Sequence, residues 1–196
     1  MERYVARSRE RGRAPDGRRR RRSALAAMLT AALCMGASVG VASADEGSPF
    51  SFRGQGTPKI LIAPYSYNDQ WQPGMDAALA NWNATVSPAH ISKQSGRTST
   101  VTAKSYTASW FGYYQSCGDS CLYIRLNSRT ISAASVNHKN YVTSVLVHEF
   151  GHALNLAHRD GSTSIMNRNR NRNTMVKPSS SDVTNVIRAY PSWSSS

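Results

Sequence analysis

The chain has 196 residues, a formal net charge of +13 and 18% charged residues. Residues 1–44 account for +7 of this charge, and the other 152 residues carry the remaining +6. More than half of the basic character therefore lies near the N-terminus, so the charge of the remainder does not indicate a nucleic-acid-binding protein. The length of the remainder suits one domain.

The first 44 residues have the pattern of a secretory signal peptide. An arginine run at 18–22 precedes an apolar stretch over 24–41, and Ala42-Ser43-Ala44 follows as a small-residue cleavage site. The alternative is one membrane-anchoring helix, because the apolar stretch is close to the lower length limit for spanning a bilayer. We predict cleavage after Ala44 and secretion to the extracellular space.

After this segment we predict a flexible polar N-terminus over 45–58 and a single domain over 59–196. Short apolar or β-branched runs predict strands at 59–63, 98–102, 106–114 and 122–126. Apolar residues recur at helical spacing after Pro73, which suits the first turn of a helix. A long second helix is predicted from near Asn140. This order of elements predicts a mixed α/β domain with a cleft beneath the sheet.

Two cysteines remain after the predicted signal peptide, Cys117 and Cys121. In an oxidising compartment we expect them to form a disulfide that closes a tight turn between two strands. A second zinc site is the alternative interpretation of these thiols, although no other Cys or His stands at a suitable spacing.

Residues 148–158 contain three histidines and a glutamate at spacings that suit a catalytic zinc ion. His148 and His152 are four residues apart, so they project from one face of a helix toward one metal, and Glu149 can hold a water there. His158 reaches the same point only if the chain turns back after about Leu154. Three protein ligands leave one zinc position open for water or substrate, which is typical of catalytic sites.

This segment resembles the zinc-binding consensus of the metzincin metallopeptidases, H-E-x-x-H-x-x-G-x-x-H, and the chain is similar to their small secreted matrixin-like or snapalysin-like members. Snapalysin-type enzymes usually have aspartate as third ligand, where this chain has His158. Downstream, Ser164-Ile165-Met166 resembles the Met-turn, whose methionine lies beneath the metal. Residues 181–183, with Ile187 and Tyr190, resemble the last matrixin helix.

The resemblance implies a twisted, mostly parallel sheet with two long helices and an active-site cleft. It divides the domain into an upper part, about 59–155, and a short C-terminal subdomain over 156–196 that contains the Met-turn and final helix. Asn155 stands where the family has a glycine with positive φ. Asparagine tolerates that conformation best among residues with a side chain, so we expect the turn to persist.

The resemblance further implies a secreted zinc endopeptidase that binds one catalytic Zn²⁺ and uses Glu149 as general base; structural Ca²⁺ is conceivable but nothing in the sequence indicates it. We expect a protein or peptide substrate, no nucleic-acid partner, no stable membrane association after signal cleavage, and a monomer. The alternative is a non-proteolytic, zinc-stabilised binding or adhesion module on the same scaffold. Glu149 favours the enzyme, because a structural zinc site does not require it.

Substrate is expected to lie extended along an edge strand within 106–114, where Trp110 and Tyr113 are candidate substrate-binding residues. The resemblance also places the arginine-asparagine run over 168–173 beside the pocket for the residue that follows the cleaved bond. We therefore hypothesise that the three arginines of this run, with Arg168 and Arg170 as candidate substrate-binding residues, favour substrates with acidic residues near the cleaved bond; the alternative is that the run is a solvated loop.

Overall fold

The computed structural model describes residues 54–66 and 68–193. The predicted signal peptide and most of the predicted N-terminal segment lie outside the described residues. Within the described part of the chain, every helix is too short or too polar to cross a membrane.

The described chain contains five strands, four α-helices and a final turn of 3-10 helix. The strands are β1 (Lys59–Pro64), β2 (His90–Lys93), β3 (Thr100–Lys104), β4 (Gly112–Gly118) and β5 (Cys121–Asn127). The helices are α1 (Gln72–Asn83), α2 (Ser128–Ala134), α3 (His138–Ala153) and α4 (Ser180–Ala189), and the 3-10 turn covers Pro191–Trp193.

The strands form one sheet in the order β2-β1-β3-β5-β4. Neighbouring strands are parallel except β4, which runs antiparallel to β5 and lies at an edge. The prediction of a mixed α/β domain with a mostly parallel sheet and two long helices is therefore confirmed.

The two long helices, α1 and α3, pack closely against each other. Gly74 of α1 allows this approach, because a Cβ at that position would come within 2.6 Å of the Val142 side chain. Trp82 is fully buried, and its indole N–H donates a 2.9 Å hydrogen bond to the Val147 carbonyl. A tryptophan N–H that is buried needs such a partner. These contacts hold α3, which carries the histidine motif, against the rest of the core.

The predicted strand over 106–114 is wrong in its first half, because regular strand begins only at Gly112. Residues 106–110 instead form a loop whose carbonyl groups are bound by side chains at the start of α2. Asn127 and Arg129 both donate to Tyr106 and Ala108 carbonyls, and Thr130 donates to the Trp110 carbonyl. The short elements β2 and α2 were not predicted, and α3 begins two residues before Asn140.

The predicted disulfide is present: Cys117 and Cys121 are joined where β4 turns into β5. At the N-terminal end of the described chain, Gly54 and Gln55 are buried although they belong to the segment expected to be flexible. The Gln55 N–H donates to the Ala153 carbonyl at 2.8 Å, which fixes this segment beside the end of α3.

Candidate active site

The histidine motif lies on the last turns of α3 and in the loop that follows. The Asn137 side chain caps the start of this helix by accepting a hydrogen bond from the Asn140 N–H. After Leu154 the chain reverses, so that His158 returns toward His148 and His152. One ring nitrogen from each of these three histidines lies within 4.8 Å of the other two.

The reversal depends on Asn155, which has a φ of 66°. This is the left-handed region, where asparagine is among the least unfavourable residues after glycine. The Asn155 side chain also accepts a hydrogen bond from the Gly54 N–H and donates to the Gln55 carbonyl. The residue at the family's glycine position therefore keeps the expected turn and connects it to the N-terminal segment.

The hydrogen bonds of two histidines orient them for metal binding. His148 Nδ1 lies 2.9 Å from the Ile165 carbonyl, and His152 Nδ1 lies 2.9 Å from the Leu156 carbonyl. A carbonyl oxygen can only accept, so these contacts favour the tautomer with the proton on Nδ1 and leave Nε2 available as a ligand. An Arg170 guanidinium nitrogen lies 3.1 Å from the same His148 Nδ1. The Nε2 atoms of His152 and His158 are 3.2 Å apart, so their lone pairs converge.

Burial also keeps these imidazoles in the neutral form that binds metals. Burial lowers the pKa of His148 well below 6.5, and the neighbouring Arg170 cation lowers it further. Burial likewise lowers the pKa of His152 to about 4. These two neutral imidazoles, together with the His158 ring that converges on them, fit a zinc ion with one open position.

Glu149 is buried between α3 and the edge strand β4. The backbone N–H of Tyr114 donates a hydrogen bond to its carboxylate, while burial raises the pKa of the carboxyl to about 7. Gly112 permits the close approach of β4, because a Cβ there would come within 2.5 Å of Glu149 Oε1 and of the Val145 side chain. The carboxyl group is thus held beside the histidines and can exchange a proton near neutral pH.

Met166 lies directly beneath the motif helix and is fully buried. A Cβ added at Gly151 would overlap the Met166 sulfur, so the absence of a side chain at Gly151 creates the space that the methionine fills. The expected position of this methionine below the histidines is therefore supported by its contact with the turn of α3 between His148 and His152.

Asp182 fixes the segment that contains Met166. Its buried carboxylate accepts hydrogen bonds from the Ser164 hydroxyl, from the Ile165 N–H at 2.9 Å, and from the Ser179 N–H at 2.8 Å. Ser179 in turn caps the N-terminus of α4 in a capping box with Asp182. Since the Ile165 carbonyl binds His148, this carboxylate connects the last helix to a metal ligand.

A cavity of about 390 Å³ opens beside the histidines and Glu149. All four predicted substrate-binding residues line it. The complete lining is Trp110, Phe111, Gly112, Tyr113, Tyr114, Val145, His148, Glu149, His152, His158, Arg168, Arg170 and Arg172. Sequence reasoning missed Gly112 and the Tyr114 amide as contributors, and it included Arg172 as part of the run over 168–173 without selecting it as a substrate-binding residue.

The arginines of this cavity differ in their surroundings. Arg168 is largely exposed and forms an ion pair with Asp160. Arg170 is 5% exposed, and its guanidinium donates to the Ser144 hydroxyl at 3.0 Å and to the Ser144 carbonyl at 2.9 Å. Burial lowers the pKa of Arg170 to about 9, so the side chain still carries its charge at neutral pH. The guanidinium of Arg172 lies 4.6 Å from the centroid of the Phe111 ring.

Comparisons with known proteins complete the description. The family model described as matrixin matches residues 48–191. A search of curated proteins gives no match. Among solved structures, the chain is similar to one described as the GM1 bound form of the ECX AB5 holotoxin, with a TM-score of 0.50 and 15% sequence identity over 67% of this chain and 80% of that one. At this identity the similarity concerns the fold alone.

Two further solved structures are similar at lower TM-scores. High choriolytic enzyme 1, a hatching enzyme zinc-protease from the medaka fish Oryzias latipes, gives a TM-score of 0.46 and 13% identity over 74% of this chain and 94% of that one. Archaemetzincin from Archaeoglobus fulgidus gives a TM-score of 0.41 and 17% identity over 65% of this chain and 99% of that one.

Proposed function

Since the chain belongs to the matrixin family of zinc metallopeptidases, we propose that it is a secreted endopeptidase whose zinc is bound by His148, His152 and His158 and whose general base is Glu149. The family membership confirms the resemblance predicted from the sequence. The single observation that carries the proposal is the convergence of three imidazoles beside a buried carboxyl group.

When bound by the three histidines, zinc supplies Lewis acidity, which lowers the pKa of water and polarises a peptide carbonyl. The chain's own contribution is proton transfer and positioning. Glu149 takes a proton from the attacking water and delivers it to the leaving amine nitrogen. The Tyr114 N–H holds the carboxylate in place during both transfers.

The edge strand β4 provides the binding surface for an extended substrate. It pairs with β5 on one side, and its residues 112–114 line the cavity beside Glu149. An extended peptide can add to such an edge through main-chain hydrogen bonds, largely independent of sequence. Trp110 and Tyr113 flank this surface and are proposed to contact substrate side chains.

Secretion is supported by two features of the chain. Residues 1–44 have the signal-peptide pattern, and the Cys117–Cys121 disulfide is stable in an oxidising compartment. The proposal predicts that the protein recovered from the culture medium of an exporting host begins at Asp45. A protein retained in the membrane with its N-terminus intact would contradict cleavage and favour the anchoring helix.

The central test compares the wild type with Glu149→Gln, which keeps the shape of the side chain and removes its basicity. Zinc content is measured on the purified proteins, and cleavage of casein is measured by release of soluble peptides. We expect unchanged zinc content and at least a thousandfold slower cleavage, of the order expected when a general base is lost. Asp76→Asn makes the same chemical change at a surface ion pair with Lys93 and serves as the matched control.

Equal cleavage by wild type and Glu149→Gln would refute the role of Glu149. A second measurement separates metal dependence from this role: removal of zinc by a chelator must abolish cleavage by the wild type, and added zinc must restore it. The alternative, a non-proteolytic binding module, requires that the zinc-loaded wild type cleave no protein or peptide at all.

A further inference from the structure

The cavity beside the histidines is lined by more positively charged than negatively charged side chains. Of its three arginines, Arg168 is neutralised by Asp160. Arg170 and Arg172 make hydrogen bonds only to neutral groups among the described residues, and Glu149 is the single carboxylate in the lining. Glu149 attracts both arginines electrostatically, but it is one carboxylate opposite two guanidinium cations.

Arg170 is fixed at the base of this cavity. Besides its two bonds to Ser144, it donates to the Asn167 carbonyl at 3.1 Å, so its guanidinium bridges α3 and the segment after Met166. Its charge has lost most of its water, and the attraction of Glu149 and Asp182 offsets this loss only in part, since burial is the larger effect on the pKa of Arg170. The fixed position also means that little rotamer entropy is lost when an anion binds.

Arg172, two residues later in the same loop, supplies the second charge of the cavity. Its side chain lies over Phe111, it donates to the Arg168 carbonyl at 2.7 Å, and its Nε–H is buried without a partner in the described part of the chain. A buried donor without a partner is unfavourable until a ligand supplies an acceptor. An apolar substrate side chain in this part of the cavity would leave the Arg172 charge without a counter-ion and the Arg172 Nε–H without an acceptor.

We propose that Arg170 and Arg172 form a subsite for the carboxylate of an aspartate or glutamate side chain of the substrate next to the cleaved bond, because both arginines line the same cavity as Glu149 and the histidines. This inference rests on the proposed peptidase function and adds a substrate class to it. The apolar wall formed by Phe111 and Val145 would contact the methylene groups of that side chain. Arg168 does not belong to the subsite, because its charge is satisfied by Asp160.

The test first identifies a cleaved bond by mass spectrometry of the products from a peptide library, and then uses a matched set of peptides. These peptides have an amidated C-terminus and form two series, which differ only at the residue before or only at the residue after that bond; the varied residue is Glu, Gln, Leu or Lys. The amide removes the terminal carboxylate, so that a preference for acid reports the side chain alone. In one of the two series, we expect the wild type to have a kcat/KM for the Glu peptide roughly tenfold or more above that for the Gln peptide.

Substitutions at single arginines show which residue produces the preference for the Glu peptide. Arg172→Gln should bring the Glu-to-Gln ratio of kcat/KM close to one while zinc content is unchanged, and Arg172→Glu should favour the Lys peptide. Arg172 is the primary target because Arg170 also supports the backbone beside His148. Arg97→Gln is the matched control, since Arg97 is exposed in the loop after β2 and does not line the cavity.

Equal cleavage of the Glu and Gln peptides by the wild type in both series would overturn the subsite and leave the peptidase function intact. A ratio for Arg172→Gln that equals that of the wild type would overturn the assignment to Arg172. If the zinc-loaded wild type cleaved none of the library peptides, the proposed function itself would fail, and the subsite with it.

Discussion

The side-chain amide of Asn155 donates a 2.8 Å hydrogen bond to the hydroxyl group of Tyr190, which lies 35 residues later in the chain. That hydroxyl donates in turn to the Gln55 carbonyl at 2.8 Å. Three distant parts of the chain therefore meet at the residue where the motif helix ends. The turn that returns His158 to the other histidines is held by these contacts as well as by its own backbone conformation.

Replacing Asn155 separates these two contributions. Asn155→Gly keeps the left-handed turn but loses the side-chain hydrogen bonds, and we expect it to lower the free energy of unfolding by about 1–2 kcal/mol. Asn155→Ala loses the same bonds and adds left-handed strain of about 1 kcal/mol, so it should be the less stable variant. Chemical denaturation of both proteins measures the order. Equal stability of the wild type and Asn155→Gly would show that the hydrogen bonds contribute nothing.

Asp182 should influence zinc affinity without touching the metal. In Asp182→Asn, an amide NH₂ replaces one of the carboxylate oxygens that accept from Ser164, Ile165 and Ser179, so a donor faces donors. We expect a loss of about 2–4 kcal/mol in the free energy of unfolding. Because the Ile165 carbonyl orients His148, zinc affinity should also fall roughly tenfold, as measured by competition with a chelator.

The surface variant Asp76→Asn is the control for this change of carboxylate to amide. If Asp182→Asn bound zinc as tightly as the wild type, the contact between Ile165 and His148 would not be sensitive to the support from α4.

Gly151 and Met166 should be energetically coupled. Gly151→Ala gains up to about 1 kcal/mol in helix propensity, but its methyl group overlaps the Met166 sulfur in a fully packed core. We expect a net destabilisation of about 1–3 kcal/mol. In a Met166→Ala background the same substitution should cost less or become favourable, and a double-mutant cycle of unfolding free energies measures the difference. Additive effects would contradict direct packing between the two residues.

The disulfide should stabilise the fold only slightly, because it closes a short loop. Replacing both Cys117 and Cys121 by serine should lower the free energy of unfolding by roughly 2 kcal/mol on the loop-entropy model. The bond lies at the turn of the β4–β5 hairpin, whereas the cavity is lined by the other end of β4. We therefore expect kcat of the serine variant to stay within about twofold of the wild type, and a larger loss would mean that the hairpin end controls the cleft.

The zinc motif could be predicted from the sequence because its geometry is local. His148 and His152 share a helix face by their spacing alone, and the conformation of Asn155 follows from its own side chain. The strands β1 and β5 could be predicted for a similar reason. β1 is a short run of apolar residues, and in β5 apolar residues alternate with polar ones, so the local pattern alone indicates a buried strand. Each of these features depends on residues close together in the chain.

The parts that could not be predicted depend on residues far apart in the chain. Residues 106–110 are rich in aromatic residues with high strand propensity, but Asn127 and Arg129 bind their carbonyl groups and prevent sheet pairing. Gln55 lies in a polar, glycine-containing segment that gives no signal of burial, yet its side chain donates to the Tyr114 hydroxyl at 3.1 Å.

The charges of the arginine run over 168–173 are a further example of a feature that depends on residues far apart in the chain. Its alternation with asparagine is visible in the sequence, whereas the ion pair of one arginine and the burial of the next are set by tertiary contacts. Sequence reasoning therefore treated the three arginines as one group and selected Arg168 and Arg170 as candidate substrate-binding residues, whereas the contacts of the cavity favour Arg170 together with Arg172.

The outer edge of β4 also has a consequence for how the protein behaves at high concentration. An unpaired strand edge accepts any extended chain, including the same edge of another copy, and proteins usually protect such edges with lysine, proline or a bulge. The strand Gly112–Gly118 has neither charged residues nor proline, and its irregular register is confined to Ser116–Gly118. The edge of β4 that must remain open for substrate is thus also the edge that favours self-association. A peptide bound along this edge should therefore keep concentrated solutions of the protein monodisperse.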